Sequence, residues 1–284
     1  MSVPFRVCPV CRNFNESKIT TLGDLKSTFD FKQNRIPSFK LMECQNCTTI
    51  YQSPLPNDEI FREMYIDNDQ FTSETYVGER ATAVVNHYKH RAKYMMDKMQ
   101  KKHSLNVLEI GSGLSWMCRA MKELDSASVT IAQDVSSECE KICTWVDKYI
   151  VGSCEDNYGL LKSLGPFDLI SLTHVIEHLP YPVDFLIQIS QLLESKGILF
   201  ITAPYQPIEW KKANNNMEIW QSWSYNHVPA HLQYLTEESI KAISKITNLV
   251  IVSYSNLDDD GQAFELMLGQ RERTIIENSI SSQQ

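Results

Sequence analysis

One stretch, "LNVLEIGSGLSWMCRAMKEL" at 105–124, constrains the fold more than any other part of the chain. Its first half contains "NVLEI", a compact apolar segment that predicts a buried strand, and its second half has apolar residues at the three- and four-residue spacing of a helix. Between the two, Gly111 and Gly113 permit a sharp turn and let a ligand approach the backbone at the start of the helix. The order strand, glycine turn, helix predicts an α/β sheet with a ligand site at the turn.

The next apolar segment, "SVTIAQD", predicts a second strand that ends in Asp134. An acidic side chain at this place can accept hydrogen bonds from ribose hydroxyls. The turn differs from the dinucleotide fingerprint G-x-G-x-x-G, because Trp116 stands at the third glycine and Glu109 precedes the first. An E-x-G-x-G turn, followed by an acid that ends the next strand, resembles class I S-adenosylmethionine-dependent methyltransferases.

The resemblance extends over roughly residues 104–257. "GPFDLISLTHVIEHLPYPVDFLIQISQLLESKGILFITAPY" is similar to the fourth and fifth strands of those enzymes with their connection, and "HLQYLTEESIKAISK" resembles a later helix entry. The resemblance implies a Rossmann-like, doubly wound, mostly parallel sheet in a domain spanning 104–284, with S-adenosylmethionine as the cofactor.

The same resemblance implies which residues bind the cofactor. The turn shapes the methionine and ribose site, the acid holds the ribose hydroxyls, a segment after the third strand faces the adenine, and the end of the fourth strand faces the sulfonium. A tyrosine before the long helix covers the cofactor. In this sequence these positions are Glu109, Gly111, Ser112, Gly113, Asp134, Ser153, Cys154, Glu155, Thr173, His174 and Tyr76.

Four of the eight cysteines form two C-x-x-C pairs, Cys8 with Cys11 and Cys44 with Cys47. Two such pairs bring four thiolates to one ion in a closed tetrahedral shell, which predicts structural rather than catalytic zinc. We therefore expect a zinc-ribbon-like domain over 1–54, with "NESKITTLGDL" and "SFKLMECQ" as a strand pair. The alternatives are four unrelated buried thiols, or disulfides if the chain were secreted.

Residues 55–103 predict a linker and a helical segment. Two prolines precede a short helix capped by Asn57 or Asp58. From Glu79 to Lys102, apolar residues on one helical face predict an amphipathic helix packed on the core; they are Val85, Tyr88, Ala92, Met95 and Met99.

Charge and apolar runs limit the partners. The net charge of −8 argues against a nucleic-acid partner, since such binding needs a basic face. No apolar run reaches the roughly 18 residues of a membrane span. The first residues lack the basic and apolar regions of a signal peptide, which predicts a cytoplasmic location.

The string "HVIEHLPYP" contains H-x-x-E-H, a metalloprotease zinc motif. That motif requires a helix that turns both histidines toward one ion. Here a buried strand leads into the string and Pro180 and Pro182 follow, which argues against such a helix.

Methyl transfer to a hydroxyl or carbon needs alignment of the two substrates and a base. The candidate catalytic residues are His178, His227, His231 and Glu177.

A long segment at about 204–235 contains Trp210, Trp220 and Trp223. We interpret it as an insertion that covers the acceptor, with an oligomer contact as the alternative.

Three functions are compatible with the sequence. The cysteine pairs and methyltransferase region resemble the N-terminal part of deoxysugar C-methyltransferases, but Val228 and Ala230 stand where their Tyr-x-Glu-His cluster has tyrosine and glutamate. This favours O-methylation of a sugar nucleotide, a cell-surface glycan or another small molecule. A resemblance to small-RNA 2′-O-methyltransferases implies the alternative of a metal held by His174, Glu177, His178 and His231. The third is a catalytically inactive binding module. The acceptor atom and oligomeric state stay open.

Overall fold

The structure, a computed structural model, describes residues 6–31, 38–67, 79–99, 101–207, 209–255 and 262–271. Tyr76, the expected cofactor cover, lies outside these ranges. The strands in the described part are β1 (Ile19–Leu25), β2 (Phe39–Cys44), β3 (Ile50–Ser53), β4 (Asn106–Ile110), β5 (Val129–Asp134), β6 (Lys148–Val151), β7 (Phe167–Thr173), β8 (Leu193–Pro204), β9 (Gln233–Tyr234), β10 (Leu249–Ser255) and β11 (Ala263–Gln270).

The helices in the same ranges are α1 (Asp58–Arg62), α2 (Glu79–Lys98), α3 (Trp116–Leu124), α4 (Tyr158–Leu164), α5 (Pro182–Ser190), α6 (Met217–Ser222) and α7 (Glu237–Thr247). Helix α2 ends four residues before the predicted end, and α1 has Asn57 as its N-cap, as predicted. None of these helices is both long and apolar enough to cross a bilayer.

A seven-stranded sheet has the order β10–β11–β8–β7–β4–β5–β6. Strands β4 to β8 are parallel, and β11 pairs antiparallel with both β8 and β10. From β4 the chain continues to one side through β5 and β6, then returns to the other side of β4 as β7. The strand order therefore reverses between β4 and β7, and open α/β sheets bind ligands at the carboxyl ends of strands at such a point.

The central strands are mainly apolar on both faces, which favours burial between helices. All of β7 up to Leu172 is buried, as is β4 after Asn106. Helix α2 covers one face through the predicted apolar residues, of which Ala92 and Met95 join one core cluster together with Met99 directly after the helix. These contacts bear out the amphipathic pattern of the sequence.

A second, four-stranded sheet has the order β1–β2–β3–β9 and is antiparallel throughout. Strands β1 and β2 are the pair predicted between the cysteine pairs. Strand β9 comes from the segment 204–235 and pairs Tyr234 with Ile50 and Gln233 with Tyr51. This segment is thus part of the sheet that the N-terminal region begins.

The three tryptophans of this segment are core residues, and the interpretation of 204–235 as an insertion that covers the acceptor stays a prediction. Trp210 and Trp220 are fully buried, and Trp223 is nearly so. They pack on the apolar side of the small sheet in a cluster with Leu25, Phe39, Leu41, Ile50, Val228 and Tyr234. The physical reason is that a short sheet needs a large apolar cover to be stable, and indole rings supply it.

Candidate active site

The turn after β4 places two glycines in left-handed backbone conformations. Gly111 has φ +59° and Gly113 has φ +46°. A Cβ atom on Gly111 would lie 2.6 Å from Cγ2 of Val175, whereas one on Gly113 would meet no atom within 4 Å. The first glycine is therefore required by packing against the end of β7, and the second leaves space above the turn.

Glu109 lies under this turn instead of facing the space above it. Its buried carboxylate accepts hydrogen bonds from the backbone N–H groups of Met117 at 3.3 Å and Cys118 at 2.9 Å. Burial raises the pKa of Glu109 from 4.5 to about 7, although these hydrogen bonds oppose the rise. The residue fixes the start of α3 against the turn.

Asp134 ends β5 as predicted and is held by the backbone. The N–H of Gly113 donates to its Oδ2 at 2.8 Å, and the N–H of Ser136 donates to its Oδ1 at 2.9 Å. Each carboxylate oxygen can accept a further hydrogen bond. The acid is thus oriented with capacity left for the hydroxyls of a ligand.

A cavity of about 340 Å³ lies at the carboxyl ends of β4, β5, β6 and β7. Of the residues proposed from the sequence, those that line it are Gly111, Gly113, Asp134, Ser153, Cys154, Glu155, His174 and His178. Glu109, Ser112 and Thr173 do not line it. The remaining wall is largely apolar and includes Phe61, Tyr65, Ile110, Val135, Val175, Leu179, Pro180 and Phe185.

His174 lines the cavity and forms a hydrogen-bonded pair with Glu177, which does not line it. Nδ1 of His174 lies 3.2 Å from Oε1 of Glu177, and the His174 ring stacks on Tyr225 at a centroid distance of 5.9 Å. Burial alone would raise the pKa of Glu177, but the hydrogen bond with His174 and the neighbouring imidazoles lower it to about 2. His174 has φ +54°, a strained conformation of the kind found at functional sites.

Three more histidines, His178, His227 and His231, pack against one another next to this pair. The ring of His231 is 4.8 Å from that of His178 and 4.9 Å from that of His227, measured between centroids. Burial lowers the pKa of all three, to about 3 for His231. Two of these three, His227 and His231, do not line the cavity.

Tyr65 is a cavity residue that the sequence reasoning missed. Its hydroxyl lies 2.7 Å from Nδ1 of His178, and burial raises its pKa. It stands in a π-helical turn, Glu63–Asp67, directly after α1. The aromatic pair Phe61 and Tyr65, four residues apart, was the available signal, but nothing local tells which surface such a pair contacts.

The metalloprotease interpretation of H-x-x-E-H is excluded by the backbone. Strand β7 ends at Thr173, and only a single 3₁₀ turn, Ile176–His178, follows before α5 begins at Pro182. The two histidines therefore do not occupy one face of an α-helix.

The four cysteines of the C-x-x-C pairs converge on one point. Their sulfur atoms all lie within 4.8 Å of one another, with Cys8 to Cys47 and Cys11 to Cys44 at 3.5 Å. Zinc–sulfur bonds of about 2.3 Å place tetrahedral sulfurs roughly 3.8 Å apart, so the arrangement fits one zinc ion.

The two cysteine pairs also share one backbone turn. Arg12 and Thr48, each directly after the second cysteine of its pair, have φ near +55°, at 57° and 54°. Each donates its N–H to the carbonyl of the first cysteine, at 3.0 Å to Cys8 and 2.7 Å to Cys44. Two equal turns that face each other are the geometry a four-thiolate site requires.

The sheet order, the glycine turn after β4 and the acid that ends β5 define the class I methyltransferase fold. A family model described as a methyltransferase domain matches residues 83–254, more than half of the chain, and the chain belongs to this family.

Two solved methyltransferases share the fold with this chain. The plantazolicin methyltransferase BamL, in complex with a triazolic desmethylPZN analog and SAH, has a TM-score of 0.51 at 13% identity, covering 68% of this chain and 88% of that chain. The plantazolicin methyltransferase BpumL, in complex with SAH, has a TM-score of 0.50 at 11% identity, covering 68% and 87%. At these identities the likeness concerns the fold alone. No curated protein matches the sequence.

Proposed function

We propose that the protein is an S-adenosylmethionine-dependent methyltransferase that methylates a hydroxyl group of a sugar nucleotide, a glycan or another small molecule. The observation that carries the proposal is one cavity bordered by the glycine turn and Asp134 on one side and, on the other, by His174, whose ring is hydrogen-bonded to Glu177. The family membership supports the reaction class.

The cofactor would occupy the side of the cavity bordered by β4, β5 and β6. Asp134, already fixed by two backbone N–H groups, would accept hydrogen bonds from the ribose hydroxyls. Ser153, Cys154 and Glu155 would contact the adenine. The open space above Gly113 admits the remainder of the molecule close to the backbone.

His174 is the base that this geometry favours. A carboxylate only accepts hydrogen bonds, so Nδ1 of His174 carries the hydrogen that points to Glu177, and the lone pair is on Nε2. S-adenosylmethionine supplies an activated methyl group. The acceptor oxygen forms a bond to the methyl carbon as the carbon–sulfur bond breaks, sulfur keeps the electron pair, and the hydroxyl proton passes to Nε2 of His174.

The acceptor side has an apolar and aromatic wall. Phe61, Tyr65, Leu179 and Phe185 line the cavity there, next to His178. Aromatic side chains with one polar edge suit sugar rings and flat organic molecules. The net charge of −8 disfavours a polyanionic acceptor, which supports a small hydroxylated one.

A methyl-transfer assay tests this function. The protein is incubated with methyl-labelled S-adenosylmethionine and separate pools of nucleotide sugars, phenols and short RNA, and products are identified by mass spectrometry. We expect an O-methylated sugar or phenol, and a kcat lower by about 10²–10⁴ in His174→Asn, because asparagine tolerates the left-handed backbone but cannot act as the base.

The matched control is His90→Gln, which removes an exposed histidine of α2 and should leave kcat unchanged. S-adenosylhomocysteine affinity should be the same in all three proteins. No methylated product from any pool, with intact binding of S-adenosylhomocysteine, would favour the inactive binding module. Full kcat in His174→Asn would remove this residue from the base role.

We further propose that the four cysteines hold structural zinc. The carbonyl of Cys47 accepts a hydrogen bond from the hydroxyl of Ser239 in α7, so the zinc turn packs on the methyltransferase domain. Metal analysis should find about one zinc per chain. Cys44→Ser should lose it with lower stability, whereas Cys143→Ser, a buried cysteine outside the quartet, should keep it.

A further inference from the structure

Glu177, His178 and His231 form a second cluster of metal-ligating side chains, separate from the cysteines. One ligating atom from each lies within 4.8 Å of the others. The first two come from the 3₁₀ turn after β7, and the third comes from the segment leading into β9. The N–H of Leu232 donates to the carbonyl of Glu177 at 2.7 Å, which fastens the two segments together at the cluster.

The hydrogen-bond partners orient both imidazoles. Nδ1 of His231 lies 2.7 Å from the carbonyl of Tyr225, and because a carbonyl only accepts, this Nδ1 donates and the lone pair is on Nε2. Nδ1 of His178 lies 3.1 Å from the carbonyl of Ala230 and 2.7 Å from the hydroxyl of Tyr65, a group that both donates and accepts.

Glu177 has a carboxylate oxygen that lacks a donor. Its side chain is 1% exposed, and its Oε2 has no hydrogen-bond partner among the described residues. Leaving a buried carboxylate oxygen without a donor is destabilising. A cation held between this carboxylate and the two imidazoles would satisfy it, and the three ligating atoms lie close enough to share one ion.

We propose that Glu177, His178 and His231 bind one divalent transition-metal ion. Two imidazole nitrogens and a carboxylate oxygen suit such an ion, and three protein ligands leave one position open. His231 donates its other ring N–H to a backbone carbonyl, the arrangement that orients imidazole ligands in metal sites. His178 lines the cavity, so the site borders the space proposed for the acceptor.

His174 stands outside this shell, although the sequence suggested it as a fourth ligand. Its Nδ1 is bonded to Oε1 of Glu177, the oxygen opposite the one without a donor, and its ring stacks on Tyr225. The role of the ion rests on the proposed function: it lowers the pKa of the acceptor hydroxyl while His174 takes the proton. The binding of the ion itself does not depend on that function.

Calorimetry and visible absorption with Co²⁺ test the site in the full chain, after dialysis against a weak chelator that leaves zinc on the cysteines. We expect one Co²⁺ per chain beyond the zinc, with an absorption spectrum of nitrogen and oxygen ligands rather than thiolates. Glu177→Gln and His231→Gln should each weaken binding by more than about 100-fold. Glutamine keeps the volume of glutamate, and far-UV circular dichroism checks that each variant is folded.

Two control variants make the result specific. His227→Gln alters a ring that packs on His231 but lies outside the cluster, and His90→Gln alters an exposed residue of α2; both should bind Co²⁺ with wild-type affinity. Absence of Co²⁺ binding, wild-type affinity in Glu177→Gln and His231→Gln, or an equal loss in His227→Gln would each overturn the three-residue site.

Titration of the same samples with S-adenosylhomocysteine separates the two proposals. A chain that binds S-adenosylhomocysteine but not Co²⁺ lacks the metal site and keeps the proposed function. A chain that binds Co²⁺ but not S-adenosylhomocysteine has the metal site and contradicts the proposed function.

Discussion

Replacement of Gly111 by alanine tests whether the turn after β4 depends on the close packing of Gly111 against Val175. The new methyl group would lie 2.6 Å from Cγ2 of Val175, in a backbone with φ +59°. A non-glycine residue in the left-handed region costs about 1–2 kcal/mol. Forcing a methyl group into a packed contact costs about 1–3 kcal/mol more.

The free energy of unfolding should therefore fall by about 2–5 kcal/mol in Gly111→Ala, which most domains survive since their stability is about 5–15 kcal/mol. Gly113→Ala is the matched control. Its backbone is also left-handed, but its methyl group would meet no atom within 4 Å. It should lose only the conformational part, about 1–2 kcal/mol.

Urea unfolding followed by tryptophan fluorescence measures these differences from the transition midpoints. Adding Val175→Ala to Gly111→Ala should return about 1–3 kcal/mol, because the clash is relieved. Equal destabilisation of the two glycine variants, or no recovery in the double variant, would refute the packing argument.

Three further predictions concern other parts of the structure. The pKa of Glu109 is raised from 4.5 to about 7 in the folded chain, so the folded state binds more protons than the unfolded state between these pH values. The protonated side chain therefore contributes about 3 kcal/mol to the free energy of unfolding below pH 4.5, and this contribution is lost as the pH rises through 7. Glu109→Gln should remove that decline in a pH series of urea titrations. Trp220→Ala should lower the free energy of unfolding by about 3–5 kcal/mol and leave the affinity for S-adenosylhomocysteine unchanged. Unchanged stability together with lost turnover would instead indicate that Trp220 contacts the acceptor. Tyr65→Phe removes the hydroxyl beside His178 and should reduce kcat/KM by about 5–10-fold, a loss of roughly 1 kcal/mol. An unchanged kcat/KM would exclude a role for this hydroxyl in the reaction.

Local patterns in the sequence predicted the large sheet and several residues that line the cavity. The glycine turn, Asp134 and the segment from Ser153 to Glu155 are each specified by residues near them in the chain, and the right-handed strand–helix–strand connection brings them to one edge. The cysteine spacing likewise predicted the convergence of the quartet.

Long-range pairing is what local patterns could not predict. The hydrogen bonds between β3 and β9 join residues far apart in the chain, so no local pattern indicates that the segment 204–235 completes the small sheet. The same applies to the contact of Tyr65 with His178. The grouping of His231 with Glu177 came from a resemblance to a known family and not from a local pattern. An isolated indole or imidazole has the same sequence signature in a core and in a ligand site.

Calorimetric titration with S-adenosylhomocysteine tests the central claim, cofactor binding at the glycine turn, most directly. We predict one site per chain in the wild-type protein and in Glu138→Ala, which removes an exposed acid of the same segment. Asp134→Ala should bind about 100-fold more weakly, since hydrogen bonds to a charged group contribute about 1.5–3 kcal/mol each. Absence of binding to the wild-type protein, or unchanged affinity in Asp134→Ala, would contradict the account.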